Sequence, residues 1–303
     1  MTDQLSSAHP ALEISEHLAS LVAAASRSVV AVHGRGRRPS SGIVWEAGLA
    51  VTAEETVERR DKLGLTRPDG SEVEATLVGR DPTTDVAVLR FADASAASVP
   101  FAAGFATDLR PGHLALALGR AGAEVVSALA MVSLVGPQWR SSGGGLIDAR
   151  LRIDARLPAA AEGGALLATN GRLIGMAVFG PRRSVLAIPA STIDRTVRAI
   201  KERGHIARGY LGVGLQRVAV AGENGERRRA AMVVTLDPAG PAKAAGILQG
   251  DIIVAVGGAP VTGLRSLYQQ LGPDMVGQRV AVEVIRAGAP AAMDVTIAAR
   301  PRA

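Results

Sequence analysis

The chain has 303 residues, 48% of them hydrophobic but only 3% aromatic, with no cysteine and a formal charge of +6. That length suffices for two hydrophobic cores, and aliphatic residues with few aromatics suit barrels and small sheet domains. The missing cysteine excludes disulfides, thiol catalysis and thiolate metal sites. The basic residues, scattered as at Arg35, Arg37-Arg38, Arg182-Arg183 and Arg227-Arg228-Arg229, form no focused patch with stacking aromatics, which argues against nucleic-acid binding.

Met1 to Pro10 carries no Lys or Arg, and the apolar run that follows is broken by Glu13, Glu16 and His17. Neither a signal peptide nor a membrane span is read there, so no membrane insertion and, with Met1 as the native start, a cytoplasmic location are expected. Residues 11–26 place Ile14, Leu18, Leu21, Val22 and Ala25 on one helical face, which predicts a helix packed on the body of the protein.

From Ser28 the rhythm changes to short strands at 29–33, 42–45, 49–52, 72–78 and 85–91, with Asp69-Gly70 as a hairpin signal. This pattern predicts a small antiparallel barrel. A second set at 113–118, 125–135, 146–153, 165–168, 173–179 and 185–188 predicts another of similar size. Ser191 precedes a helix with Ile193, Val197 and Ile200 on one face, and Gly204 ends it.

After a short linker at 204–207, strands at 212–215, 232–236, 252–256, 280–285 and 293–297 alternate with helices at 242–245 and 264–271, the pattern of a compact α+β module. The fold class is therefore mainly β, two barrels followed by an α+β domain. Within that last module, Gly209-Tyr210-Leu211-Gly212-Val213 is a turn that can present successive N–H groups to a carboxylate, and the strand after it can pair with an incoming peptide.

The stretch Leu157-Pro158-Ala159-Ala160-Ala161-Glu162-Gly163-Gly164-Ala165 has the frame of a nucleophile loop: a small-residue turn, one reactive position, Gly-Gly, then an apolar strand. With it go Ser41-Gly42-Ile43-Val44, Val51-Thr52 with Val57, Gly79 to Leu89 (Gly-Arg-Asp-Pro-Thr-Thr-Asp-Val-Ala-Val-Leu), Leu109 to Gly112 and Ala187-Ile188-Pro189. On these blocks residues 28–203 resemble the protease domain of the HtrA (DegP-like) serine proteases, a trypsin-like, chymotrypsin-type double barrel. Residues 208–300 resemble a PDZ domain, and residues 1–27 form an N-terminal helical segment ahead of both.

The resemblance implies a His–Asp–Ser triad, yet only Asp85 matches it. The base position falls on Glu55, after Ala53 and Glu54, and the nucleophile position on Glu162. The oxyanion-hole equivalents are Ala160 and Glu162. None of His9, His17, His33, His113 and His205 falls where a base is needed, and Ser142 in Ser141-Ser142-Gly143-Gly144-Gly145 reads as part of a flexible loop. Loss of either triad Ser or His costs about 10⁶ in kcat. The expectation is a pseudoprotease that leans away from being an enzyme, needs no cofactor and holds no resident metal.

The resemblance also implies that Leu211, Gly212 and Val213, after Tyr210, hold a terminal carboxylate, while Leu215, Leu264, Leu267 and Leu271 line the pocket for the last side chain. Some of these leucines also read as ordinary core. Protein C-termini or extended peptides are the expected partners, in a scaffold, adaptor or chaperone role in protein quality control. The rival expectation is a hydrolase of altered chemistry, with a carboxylate or divalent-cation site at Glu55, Asp85 and Glu162, or residual proteolysis through another serine. Three such carboxylates would share a proton, take up an arginine such as Arg156, bind a cation or sit idle. The family is commonly trimeric, but the N-terminal aromatics of its trimer contacts are not found here, so homo-oligomerisation stays open. Family precedent for location is the cell envelope.

Overall fold

A computed structural model describes residues 10–34, 39–57, 62–92, 105–181, 184–221 and 227–301. His9, Arg35, Arg37-Arg38, Arg182-Arg183 and the stretch before Pro10 lie outside the described residues. The chain divides into two compact units, Met1–Trp139 with Ile147–His205, and Arg140–Leu146 with Ile206–Ala303.

The first unit opens with α1 (Pro10–Ala25). Leu18, Leu21 and Val22 are half-buried and Ala25 is buried, but Ile14 and Leu12 are each 56% exposed. The packed face expected to begin at Ile14 therefore begins a turn later, where His17 Nε2 also meets the Thr169 carbonyl at 2.8 Å. Six strands follow: β1 (Val29–His33), β2 (Ser40–Glu46), β3 (Leu49–Thr52), β4 (Lys62–Thr66), β5 (Glu72–Asp81) and β6 (Val86–Phe91). They close antiparallel in the order β1-β2-β3-β6-β5-β4. β4 is absent from the sequence reading: Leu63 and Leu65 alternate, but Gly64 and Lys62 between and before them are poor strand formers, and pairing with β1 and β5 supplies what local propensity lacks.

The second barrel comprises β7 (Leu114–Ala121), β8 (Glu124–Gly136), β11 (Arg150–Asp154), β12 (Ala165–Ala168), β13 (Leu173–Phe179) and β14 (Val185–Pro189), in the order β11-β14-β13-β12-β7-β8. Between β8 and β11, β9 (Trp139–Arg140) pairs with β10 (Leu146–Ile147), so the single strand expected over 146–153 is broken at Asp148-Ala149. α2 (Ala190–Arg203) then buries Ile193, Val197 and Ile200 and ends at Gly204 in the left-handed region, φ 71°. The barrels hold separate aliphatic cores, one around Val30, Leu65 and Leu89, the other around Leu151, Leu166 and Ile174. Each such fully buried side chain contributes about 1.5–3 kcal/mol.

The second unit contains β15 (Gly209–Tyr210), β16 (Val213–Ala221), β17 (Arg227–Leu236), α3 (Pro241–Ala244), β18 (Ile252–Val256), β19 (Ala259–Pro260), α4 (Leu264–Gln270), β20 (Arg279–Arg286), β21 (Ala289–Thr296) and β22 (Ala298–Ala299). The main sheet runs β16-β17-β18-β20-β21, with β19 on β18, and β15 pairs with β22. β16 is thus an edge strand, flanked by α4.

The segment Arg140–Leu146, which contains the Ser141–Gly145 stretch read from sequence as a flexible loop, belongs with this unit. Arg140 makes a two-pronged pair with Asp274 at 2.8 and 2.6 Å, and Gln269 Nε2 donates to the Ser141 carbonyl at 3.5 Å. The polar, glycine-rich composition that suggested mobility is what lets Gly144 lie against the backbone of Tyr268 and Gln269.

Candidate functional site

The acidic cluster of the first unit is built from Asp85 outward. Asp81, buried ahead of it, accepts from the Thr83 N–H and hydroxyl at 2.9 and 2.6 Å and from the Thr84 hydroxyl at 2.8 Å. This tight side-chain-to-backbone turn sends the chain into Asp85 at φ +58°, a conformation that a short polar side chain tolerates better than most. The Asp85 carboxylate accepts the N–H of Glu55 at 3.0 Å, and its carbonyl accepts the N–H of Glu54 at 3.3 Å. Burial pushes the Asp85 carboxyl up to about 7; the Glu55 N–H works against that, and the charges of Glu55, Glu54 and Glu162 add to it.

Asp85 therefore holds a proton near neutrality. Glu55 contacts it through the backbone while its own side chain is exposed. Glu54, outside the expected trio, joins the group and is 3.2 Å from Arg80. Arg156, one arginine open as a counter-charge, is exposed. No group of three or more acidic or histidine side chains among the described residues is arranged to hold a metal ion.

Glu162 follows a 3-10 turn, Ala159–Ala161, and its own φ is −62°. The N–H of Glu162 donates back to the Ala159 carbonyl at 3.3 Å, and the Ala161 N–H to the Pro158 carbonyl at 2.9 Å. The turn is held from outside: Ser41 Oγ donates to the Ala160 carbonyl at 2.5 Å and accepts the Arg120 N–H at 2.8 Å. Ala160 avoids the positive φ that a glycine would take at leisure, because the loop winds into this turn instead. Gly163 is a glycine for a plain reason: at φ +79°, a Cβ would sit 2.3 Å from the Ser41 carbonyl oxygen. Beyond it, the Phe179 N–H reaches Glu162 Oε1 at 3.4 Å.

The described histidines make their contacts elsewhere. His33 bonds Thr66, His113 Nδ1 accepts the Arg110 N–H, His205 meets the Arg203 carbonyl, and His17 meets Thr169. The sequence reading missed the Asp81 turn, although Asp-Pro-Thr-Thr is a legible turn signal. It also missed the contact of Ser41 with the Ala160 carbonyl, which no local pattern encodes.

In the second unit, Tyr210 donates its hydroxyl to Asp237 at 2.9 Å, drawing two ends of the loop together. The Gly212 carbonyl accepts from Asp237 at 2.8 Å and the Leu211 carbonyl from Ala242 at 2.9 Å. Gly212 sits at φ +75° with the Gly240 Cα where a Cβ would come within 2.9 Å. Among the described residues, no acceptor takes the N–H of Leu211 or Gly212. The leucines divide: Leu211, Leu267 and Leu271 are buried in the core, while Val213, Leu215 and Leu264 lie partly exposed against it, between β16 and α4.

Residues 40–176 match the family of trypsin-like peptidase domains, and residues 209–297 match the PDZ domain family. A probable periplasmic serine endoprotease, DegP-like, from Brucella suis is 32% identical over 282 residues, covering 89% of this chain and 54% of the relative. One of the same description from Chlamydia trachomatis is 30% identical over 277 residues, covering 87% and 54%. The chain spans about half the length of the curated relatives it matches. Among solved structures, the serine endoprotease from Yersinia pestis superposes with a TM-score of 0.68 at 27% identity, covering 93% of this chain and 98% of that one. The HtrA-type protease AlgW with a decapeptide superposes at 0.69 and 22% identity, covering 94% and 99%.

These matches correct the expectation that the chain leans away from being an enzyme. The relatives are named serine endoproteases, and the matched domain is a peptidase domain. The expectation rests on Glu55 and Glu162 at the two motif positions. The relatives are also named periplasmic, which leaves the expected cytoplasmic location without support. No described helix is long and apolar enough to cross a membrane.

Proposed function

We propose a function for this chain from the premise that it is a trypsin-like peptidase domain followed by a PDZ domain, homologous to the DegP/HtrA serine endoproteases. In this reading the PDZ unit captures the C-terminus or an extended segment of another protein and delivers it to the first unit, or holds it as an adaptor or chaperone. The observation that carries the reading is the pair of unaccepted N–H groups at Leu211 and Gly212, set at the start of an edge strand. Two successive amides without an acceptor suit a carboxylate, and an open edge suits an added strand. Val213, Leu215 and Leu264 give the last side chain an apolar seat.

For the first unit the proposal is hydrolase chemistry of an altered kind. With Glu162 and Glu55 at the two motif positions, the groups on offer are carboxyls, and Asp85, whose carboxyl is pushed up to about 7 and feels the charge of Glu162, is the one suited to hand over a proton. The location that accords with the relatives is the periplasm.

The test of the PDZ half is fluorescence polarisation of the full chain with a labelled peptide ending in an apolar residue, once with a free C-terminus and once amidated. The free form is expected to bind at least roughly tenfold tighter, because amidation removes the charge that the loop amides recognise. Equal binding rejects the reading.

A further inference from the structure

The loop at Leu211 to Val213 and the seat around Leu215 account for the last residue of a bound peptide and no more. The groove continues past them. Arg217, Val218 and Ala219 of β16, Arg229 and Ala230 of β17, and Thr262 to Arg265 at the entry to α4 line a cavity of about 540 Å³.

Strand register fixes which side chains share this space. Leu215 stands opposite Val233, Arg217 opposite Ala231 and Ala219 opposite Arg229. Directly opposed residues of an antiparallel pair point to one face, and so do alternate residues along a strand. Val233 and Ala231 are fully buried, so this is the face turned toward the core and α4. Arg217 and Arg229 therefore continue the Leu215 row beyond the end of the core, and Arg265 meets them from the helix side.

Three guanidinium groups at one end of a groove repel one another unless something compensates them. Three other arginines of this unit have carboxylate partners: Arg140 with Asp274, Arg279 with Asp294, Arg286 with Asp251. Arg217, Arg229 and Arg265 have none among the described residues.

We infer that this end of the groove is a subsite for acidic side chains of the captured peptide; the inference rests on the PDZ unit binding peptides as proposed above. A peptide added antiparallel to β16 with its last residue at Val213 advances about 3.3 Å per residue. The bulge between Gly214 and Leu215 carries its extra residue, Val234, on β17, so the count along β16 is unchanged. Arg217 to Ala219 then face peptide residues about four to six places before the C-terminus. The preferred partner is a protein tail with an apolar last residue and Asp or Glu at those upstream places.

The test uses the full chain and three labelled peptides with the same apolar last residue and a free carboxylate, carrying Ser, Asp or Lys at the three upstream places. Fluorescence polarisation at low salt is expected to rank Asp over Ser over Lys, with Asp about tenfold tighter than Ser and the gap shrinking as salt rises. In Arg217→Glu/Arg265→Glu the order reverses, and tight binding of the Lys peptide shows that this variant is folded. Equal binding of all three peptides by the wild-type chain, each lost on amidation, overturns the acidic subsite while leaving the groove intact. Absence of any binding, or indifference to amidation, overturns the groove reading and this inference with it.

Discussion

The backbone N–H of Glu55 donates to Oδ1 of Asp85 at 3.0 Å, so the carboxylate that the family motif aims at a histidine is met here by main chain. A single amide cannot offset the burial of that group and three acidic neighbours, and Asp85 is pushed up to about 7.

Stability should follow. With an ordinary value of 3.8 in the unfolded chain and about 7 in the fold, Asp85 binds an extra proton in the folded state between those limits. Its contribution is therefore greatest near pH 4 and falls as pH rises to about 7; above that the full penalty applies, about 1–3 kcal/mol after solvent screening. Asp85→Asn keeps an acceptor for Glu55 and tolerates the positive φ. Thermal melts should find the variant more stable than wild type at pH 8 and indistinguishable near pH 4; a wild-type advantage at pH 8 would contradict the burial argument.

Carboxylate chemistry in the first unit predicts a particular inhibition pattern. Casein turnover should survive a serine-reactive fluorophosphonate and fall at least about 100-fold in Glu162→Gln, the usual scale for removing an acid–base group. Turnover blocked by the probe and indifferent to Glu162→Gln would assign the chemistry to a serine. No turnover between about pH 5 and 8 would reject hydrolysis at this site and leave peptide capture standing.

Gly212→Ala tests the carboxylate loop. The new methyl meets the Gly240 Cα at 2.9 Å and forces an L-residue to φ +75°. The backbone term alone is about 1–2 kcal/mol. Peptide affinity should drop about tenfold or more, with a smaller loss in melting temperature; unchanged affinity would remove the loop from the binding site.

The leucines separate core from groove. Leu267 is fully buried, and Leu267→Ala should destabilise the PDZ unit by about 2–5 kcal/mol in chemical denaturation. Leu264 is partly exposed, and Leu264→Ala should weaken the apolar-tailed peptide more than it weakens the fold. Equal effects of both substitutions on binding and stability would mean that the groove has no separate apolar seat.

Much of this molecule was written in local pattern. The strands at 29–33, 49–52 and 173–179, the helix stopped by Gly204 and the turn at Asp69-Gly70 follow from alternation, helical spacing and φ preference, each set by neighbours a few residues away. Side-chain identity alone also put acids at 55, 85 and 162, and no folding could change that. Tertiary structure decided the rest, because it depends on residues far apart in the chain. It joined Arg140–Leu146 to the second unit, placed Ser41 under the Ala160 carbonyl 119 residues away, sorted Leu267 from Leu264, and raised the proton affinity of Asp85 by burying it among other acids. Desolvation and long-range charge are properties of assembled space, and a linear pattern of residues does not contain them.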